Sequence, residues 1–357
     1  MNKVQLNPKS LKIARERREL TKAELANLVG ISSRTLTNYE SDITEFERDT
    51  GNIEKLAKVL GYPVSFFLQN DELTEINQDI VSFRSLARLS AKKRNAALAV
   101  GSLAMEFEKW LNQKFNLPKM DIPDFDHPDD DLSPQIAARR LREYWGIGEK
   151  SISNMVHLLE SKGIRVYSLA QNCVEVDAYS YWLDGKPFVF LNNQKTPERS
   201  RFDAAHELGH LILHKTISPN SSKDIELEAN QFASEFLMPE RSVKATVPYQ
   251  PSLSNLIQLK TNWNVSLAAL LKRIGDLKLA TEWHYRQLQI ELGKRGFRKL
   301  EPEGLSRRET SIIIEKVVEQ LREQKINQQH VEKETNLPLS DLAEITFKHR
   351  YFNLRVV

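Results

Sequence analysis

The stretch Arg201-Phe202-Asp203-Ala204-Ala205-His206-Glu207-Leu208-Gly209-His210-Leu211-Ile212-Leu213-His214 decides how the chain is read. On a helix, residues four apart lie one above the other, so His206 and His210 can turn both imidazoles toward one ion. Glu207 leaves the helix in an adjacent direction, from which its carboxylate can take a proton from a metal-bound water without displacing that water. This is the arrangement of a zinc-dependent hydrolase, with His206 and His210 as ligands and Glu207 as general base. Phe202, Ala205, Leu208, Leu211 and Ile212 give the helix apolar surface to seat on, and Gly209 leaves room for close packing. His214 lies about 6 Å further along the axis and reads as a supporting residue, outside the ligand set.

A catalytic zinc takes three protein ligands and keeps a fourth position for water. Glu226 and Glu228, within Asp224-Ile225-Glu226-Leu227-Glu228-Ala229-Asn230-Gln231-Phe232-Ala233-Ser234-Glu235-Phe236, are the candidates for the third. If this segment is a helix, Glu228 lies with Phe232 and close to Ile225, Ala229 and Phe236, and is preferred to Glu226 on that ground. The bland alternative for both is salt bridging at a helix start, where the dipole favours carboxylates. His157 and His284 read as satisfied core or surface residues.

Upstream, residues 11–68 read as a compact helical module. Leu11, Ala14 and Arg18 open a first helix; Thr21 and Glu24 have the spacing of a capping box for a second, which stops at Gly30. Ser32 or Ser33 then caps a short third helix that turns Leu36 inward and leaves Arg34, Thr35, Asn38 and Tyr39 accessible. Two short helices across a tight turn are the pattern of a helix-turn-helix. Ser33, Arg34, Thr35 and Asn38 are its DNA-contacting candidates, because short polar side chains and an arginine near the helix start can reach phosphates and base edges. A helical protein-interaction module is the competing reading.

The chain has 357 residues, enough for two or three domains, and 51 basic against 48 acidic side chains leave a net charge of only +3. Any affinity for nucleic acid must therefore come from a local arrangement. Cys173 is the only cysteine, which excludes an intrachain disulfide and a multi-cysteine zinc ribbon. No uncharged apolar run approaches the roughly 20 residues that span a bilayer, so a cytoplasmic protein without a membrane partner is expected. Residues 83–111, with Arg84, Arg88, Lys92, Lys93 and Arg94, read as a long helix or helix pair with a solvated basic face. The Asp- and Pro-rich stretch 121–134 reads as a linker. Helices are expected at 137–144 and 153–159, strands at 164–167, 173–176 and 188–191, and a hairpin turn at Asp184-Gly185. Helices at 253–259 and 265–271 with Trp263 between them, a helical segment with Trp283 and Tyr285, an amphipathic helix within 306–327, and a short helix and final strand within 339–357 complete the pattern.

Thr21 to Ser41 resembles the Xre/Cro-like DNA-binding family, with Ala26, Gly30, Ile31, Leu36 and Glu40 at its packed, turn or scaffold positions. Lys22 departs from that pattern, standing where a phosphate-bridging glutamine is frequent. Arg201-Phe202, Ala205 to His210, Glu228-Ala229-Asn230, Phe232-Ala233 and Leu237-Met238-Pro239 resemble, in order, the ImmA/IrrE family of zinc peptidases over residues 132–300. That resemblance implies a minimal gluzincin fold, Zn2+ held by His206, His210 and Glu228, and Glu207 as the catalytic residue. The expected architecture is multidomain: an all-α helix-turn-helix domain at 1–72, a connector at 73–131, an α+β peptidase domain at 132–300, and a mainly helical C-terminal extension at 301–357. The resemblance further implies a DNA-associated metallopeptidase that cleaves a protein partner, a transcriptional repressor or antitoxin. The alternative is a DNA-binding regulator whose zinc domain senses or binds without proteolysis. Helix-turn-helix proteins often pair on two half-sites, so a homodimer is one expected assembly, and a monomer held at DNA by partners is the other.

Overall fold

The computed structural model describes residues 6–41, 50–68, 73–76, 89–125, 132–215 and 223–353. The chain divides into two compact units: Met1–Leu117 with Tyr167–Val176 and Ser311–Val357, and Pro118–Val166 with Asp177–Thr310. This division cuts across the four segments expected from sequence, since residues 311–357 group with the N-terminal module and residues 301–310 with the second unit. Arg84, Arg88 and positions 126–131 of the expected linker lie outside the described residues.

The first unit opens with α1 (Pro8–Arg17), whose N-terminus is capped by the Asn7 side chain accepting from the Lys9 and Ser10 amides. α2 (Lys22–Val29) begins in a capping box, with Thr21 Oγ1 accepting from Glu24 N and Glu24 Oε2 accepting from Thr21 N. It ends at Gly30, whose φ of 76° suits a residue without a Cβ. α3 (Ser33–Tyr39) is capped by Ser32, which accepts from Thr35 N at 3.0 Å. α4 (Thr50–Leu60) and the 3-10 turn Val64–Leu68 follow, and Leu11, Ala14, Leu25, Ala26, Leu36, Leu56, Leu60, Phe66 and Phe67 are buried. Glu40, the C-cap of α3, ties that helix to α1 and to the start of α2: its carboxylate takes the Arg15 guanidinium at 2.5 and 2.9 Å, while the Lys22 ammonium stands 3.4 Å away. α5 (Ala91–Lys114) is a single long helix against which α1 packs.

The second unit holds α6 (Pro134–Tyr144), α7 (Met155–Ser161), β2 (Ala178–Leu183) and β3 (Lys186–Leu191); β1 (Arg165–Ser168) straddles the division at Val166, and the strand order is β1-β3-β2. β2 and β3 are antiparallel and joined by Asp184-Gly185, both at positive φ (49° and 71°), as a two-residue hairpin requires. Tyr179 and Tyr181 lie opposite Phe190 and Phe188 and stack on one face of the hairpin. Alternation therefore sends Ser180 and Trp182 to the other face. The expected strand at 173–176 is instead a pair of turns, since Cys173 N bonds Ala170 O and Val176 N bonds Cys173 O, which uses up the amides a ladder would need. Cys173 is nevertheless buried, and burial pushes its thiol up to about 11.

α8 (Pro197–Leu213) and α9 (Lys223–Leu237) pack on each other and, with β2 beside α8, make the centre of this unit. α10 (Glu240–Thr246), α11 (Leu253–Leu259), α12 (Leu267–Asp276) and α13 (Glu282–Lys294) complete it. The C-terminal end of α9 is fastened by arginines, as its dipole favours: Arg273 Nε donates to Met238 O at 3.0 Å and Arg142 NH1 donates to Phe236 O. Trp263 and Tyr285 serve packing, the first buried and the second against Gly275, whereas Trp283 is exposed. His284 donates to Pro251 O at 2.9 Å. Returning to the first unit, the chain ends in α14 (Ile312–Glu323), α15 (Gln328–Thr335) and α16 (Leu339–Ile345).

α8 is anchored by one buried ion pair. The Arg201 guanidinium, fully enclosed, bonds Glu309 Oε1 and Ile152 O, and Glu309 Oε2 accepts from the amides of Met155 and Val156 at the start of α7. Truncating one member of such a pair strands the other in an apolar setting. Arg201→Ala should therefore lower the stability of this unit by about 3–5 kcal/mol. Urea unfolding followed by circular dichroism measures this, and a loss under about 1 kcal/mol would mean the pair is not the anchor.

Candidate metal centre

The site begins with a close approach of two helices. A Cβ added to Gly209 of α8 would lie 3.2 Å from Ala229 Cα and 3.3 Å from Ala229 O of α9. A side chain here would crowd that backbone, and glycine relieves the contact. On α8, His206 and His210 share a face, with Nε2 atoms 3.0 Å apart. On α9, Glu226 stands one turn before Ala229 and brings its carboxylate to 3.7 Å from His206 Nε2 and 3.6 Å from His210 Nε2. Among the described residues these three form the cluster able to hold a metal ion, their ligand atoms all within 4.8 Å of one another.

The donor set passes a geometric test. Zinc with bonds of about 2.0–2.1 Å in a tetrahedron has its ligand atoms roughly 3.3 Å apart. The imidazole separation of 3.0 Å, with 3.7 Å from His206 Nε2 to Glu226 Oε2 and 3.6 Å from His210 Nε2 to Glu226 Oε1, lies on either side of that value. The outer hydrogen bonds also leave the right lone pairs inside. Asn230 Oδ1, held in place by the Asn230 amide donating to Glu226 O at 2.7 Å, accepts from His206 Nδ1 at 3.2 Å. Glu228 Oε2 accepts from His214 Nε2 at 2.9 Å, and His214 Nδ1 in turn accepts from His210 Nδ1 at 2.9 Å. With both Nδ1 atoms engaged as donors, both Nε2 atoms face the same place, where a shared proton or a metal cation can lie between them. Burial first, and then the neighbouring His210, pull His206 down to about 4, so it is neutral at pH 7 as a metal ligand must be.

The structure thus sorts the residues named from sequence. His206 and His210 are together as expected. Glu228 is not in the cluster: it bonds His214 at the end of α8, and Glu226 occupies the place for which Glu228 was preferred. Both glutamates border the contact face at Gly209, Glu226 one turn before Ala229 and Glu228 one turn before Phe232, so face alone could not choose between them. The crossing of the helices does.

Glu207 points from α8 toward β2, where Ser180 Oγ donates to Glu207 Oε2 at 2.6 Å. Trp182, two residues along the same strand face, donates from Nε1 to Leu211 O at 3.1 Å. Two residues of strand advance about 6.8 Å and four of helix about 6 Å, so Ser180 and Trp182 match Glu207 and Leu211 in step. Sequence reasoning missed Ser180; the signal was its place between Tyr179 and Tyr181, which sets it on the face opposite the aromatic stack.

On the first unit, Ser33, Arg34 and Asn38 are exposed on α3, and Thr35 is half-buried with its hydroxyl 2.8 Å from Ser32 Oγ.

Comparison with protein families places these features. Residues 159–275 match the IrrE N-terminal-like domain family and residues 11–67 match the helix-turn-helix family. No curated protein matches the chain. Among the described residues, no helix is long and apolar enough to cross a membrane.

One turn before Glu207 on α8, Asp203 is half-buried, and its enclosed Oδ2 has no hydrogen-bond partner among the described residues. Burial first, then the charge of Asp177, pushes it up from 3.8 to about 7. A carboxyl raised on folding favours the native state only while protonated, so its stabilising protonation is lost as pH climbs from the unfolded value through the folded one. Asp203→Asn should therefore raise the thermal midpoint at pH 8 by several degrees and leave it unchanged near pH 4, as measured by calorimetry across that range. An equal effect at both pH values would remove burial of the charge as the cause.

In N-to-C order, the chain carries an Xre-like helix-turn-helix domain and an IrrE/ImmA-like domain of a metallopeptidase family.

Proposed function

We propose that the chain is a DNA-associated zinc peptidase that hydrolyses a peptide bond in a protein partner, a transcriptional repressor or antitoxin. The observation that carries this reading is the convergence of His206 Nε2, His210 Nε2 and the Glu226 carboxylate with Glu207 beside them, held by Ser180. His206, His210 and Glu226 would hold Zn2+, which when bound supplies a Lewis acid that acidifies a water and polarises a scissile carbonyl. The remaining work falls to the protein. Glu207 takes the proton of the attacking water and returns it to the departing amine. Ser180 fixes the carboxylate rotamer by occupying Oε2, so the proton is collected at a defined position. Asn230 and the His214–Glu228 pair hold the two imidazoles in the tautomer that turns Nε2 inward. The helix-turn-helix domain supplies attachment to duplex DNA, with Ser33, Arg34, Thr35 and Asn38 of α3 as the groove-facing residues.

Three substitutions separate the roles. Glu207→Gln should keep zinc and fold but abolish cleavage, since an amide of nearly the same volume cannot accept the proton. Glu226→Ala should lose both zinc and activity, whereas Glu228→Ala should keep full zinc stoichiometry and weaken its affinity by about 10–100-fold through the loosened His214. Metal content by mass spectrometry, chelator competition, and cleavage of partners trapped by Glu207→Gln read these outcomes. If Glu228→Ala loses the metal while Glu226→Ala retains it, the ligand assignment is overturned. Wild-type cleavage by Glu207→Gln would favour a sensor or scaffold without proteolysis.

The DNA arm is tested independently. Arg34→Ala and Asn38→Ala should each cost about 1–3 kcal/mol of sequence-specific affinity at matched salt and leave zinc content untouched. Unchanged mobility-shift titrations would remove α3 from the DNA interface.

A further inference from the structure

The first unit contains the same three-helix pattern twice, at a constant displacement of 306 residues. α1 ends at Arg17 and α14 at Glu323; the next residues, Arg18 and Gln324, are their C-caps, and Glu19 and Lys325 follow at positive φ of 52° and 57°. Thr21 and Asn327 then cap α2 and α15 through their side chains, accepting from Glu24 N and His330 N. Both helices have eight residues, and both close on a left-handed residue, Gly30 and Asn336. An apolar residue and an N-cap follow, Ile31-Ser32 and Leu337-Pro338, before the seven-residue helices α3 and α16. The hydrogen bonds keep the same displacement: Leu20 N to Arg15 O matches Ile326 N to Leu321 O, and Glu40 N to Leu36 O matches Thr346 N to Leu342 O. The buried positions Leu25 and Leu36 correspond to Val331 and Leu342, and the buried Arg15–Glu40 pair to Leu321 and Thr346.

The two copies differ where it matters for DNA. The positions matching Ser33, Thr35 and Asn38 are Leu339, Asp341 and Glu344, and α16 is buried on this side. Asp341 takes Arg17 Nε at 2.9 Å and Arg18 at 2.9 and 2.8 Å, both from the end of α1. Glu344 Oε2 accepts from Gln171 N at 2.6 Å, and Asn336 Oδ1 accepts from Ser65 Oγ at 2.6 Å. Two acids facing phosphate would be repelled, and here both are spent on packing the unit.

We infer that residues 314–346 are a second helix-turn-helix whose recognition helix, α16, docks on the first copy instead of entering a groove, so that each chain presents one reading helix, α3, to one DNA half-site. The inference rests on the DNA-binding reading of the first copy for its second clause only, and two readouts on the full chain keep the clauses apart.

Without DNA, hydrogen exchange compares wild type with Asp341→Asn. Docking predicts faster exchange in residues 14–20 and 338–346 together; unchanged exchange at 14–20 overturns it. With a duplex selected by the wild-type chain, the same method should show protection of residues 31–40 and none at 338–346. Ser340→Arg places a cation on an exposed position of α16 matching Arg34. It should leave DNA affinity within about twofold and the salt dependence unchanged. Protection of 338–346, or tighter binding with a steeper salt slope, means α16 reads DNA and overturns the single reading helix. Failure of wild type to bind any duplex would overturn that clause and the DNA-binding reading while leaving the docking result standing.

Discussion

The cluster of His206, His210 and Glu226 depends on one steric constraint, the approach of α8 and α9 at Gly209. With a methyl group there, the backbone of Ala229 would have to retreat by a few tenths of an ångström, and Glu226 would retreat with it. Ligand geometry is unforgiving on that scale, since bonds near 2.0–2.1 Å fix all donor positions together. Phe232 and Phe236, stacked with centroids 5.5 Å apart, and Ala229 and Ala233 supply the apolar contact that presses the helices together. The glycine removes the side chain that would crowd their approach.

Around that contact the polar groups form two chains that converge from outside. One runs from Glu228 through His214 to His210, the other from Asn230 to His206. Each uses an imidazole's outer nitrogen as a donor and thereby aims its inner lone pair. The arrangement lets Glu228, two positions from Glu226, orient His210 through His214 without joining the cluster itself. It also gives His214, at the C-cap of α8, a use that its distance along the axis would not suggest.

The first unit shows a different economy. One supersecondary pattern is used twice, once with exposed polar residues and an arginine on its last helix, once with an acid there, Asp341, turned to the arginines at the end of α1. α5 receives α1, and also α15 and α16, with Trp110 Nε1 donating to Glu334 Oε2 at 2.8 Å. Hydrophobic residues at helical spacing specify such a unit equally well in both cases. What separates the exposed helix α3 from the packed helix α16 is the charge at three positions, Arg34, Thr35 and Asn38 against Ser340, Asp341 and Glu344.

Much of this was legible in the sequence because it is local. The Thr21–Glu24 capping box, the left-handed Gly30, the Asp184-Gly185 hairpin and the pairing of His206 with His210 each depend on residues within four positions of one another, and chain geometry fixes their relation before any packing occurs. The choice between Glu226 and Glu228 was not local. Both border the same helix face, and only the crossing of α8 and α9, set by Gly209 against Ala229, brings one carboxylate to the two imidazoles and the other to His214. Ser180 became part of the site for the same kind of reason, because strand and helix advance by nearly equal steps when laid side by side. The place of residues 311–353 in the first unit was likewise decided by contacts more than 300 positions apart in the chain, such as Arg18 with Asp341, which no periodicity records. The sequence by itself determined the helices, the caps and the two histidines; the tertiary structure chose the third carboxylate and the serine, because those depend on distances between elements that only packing sets.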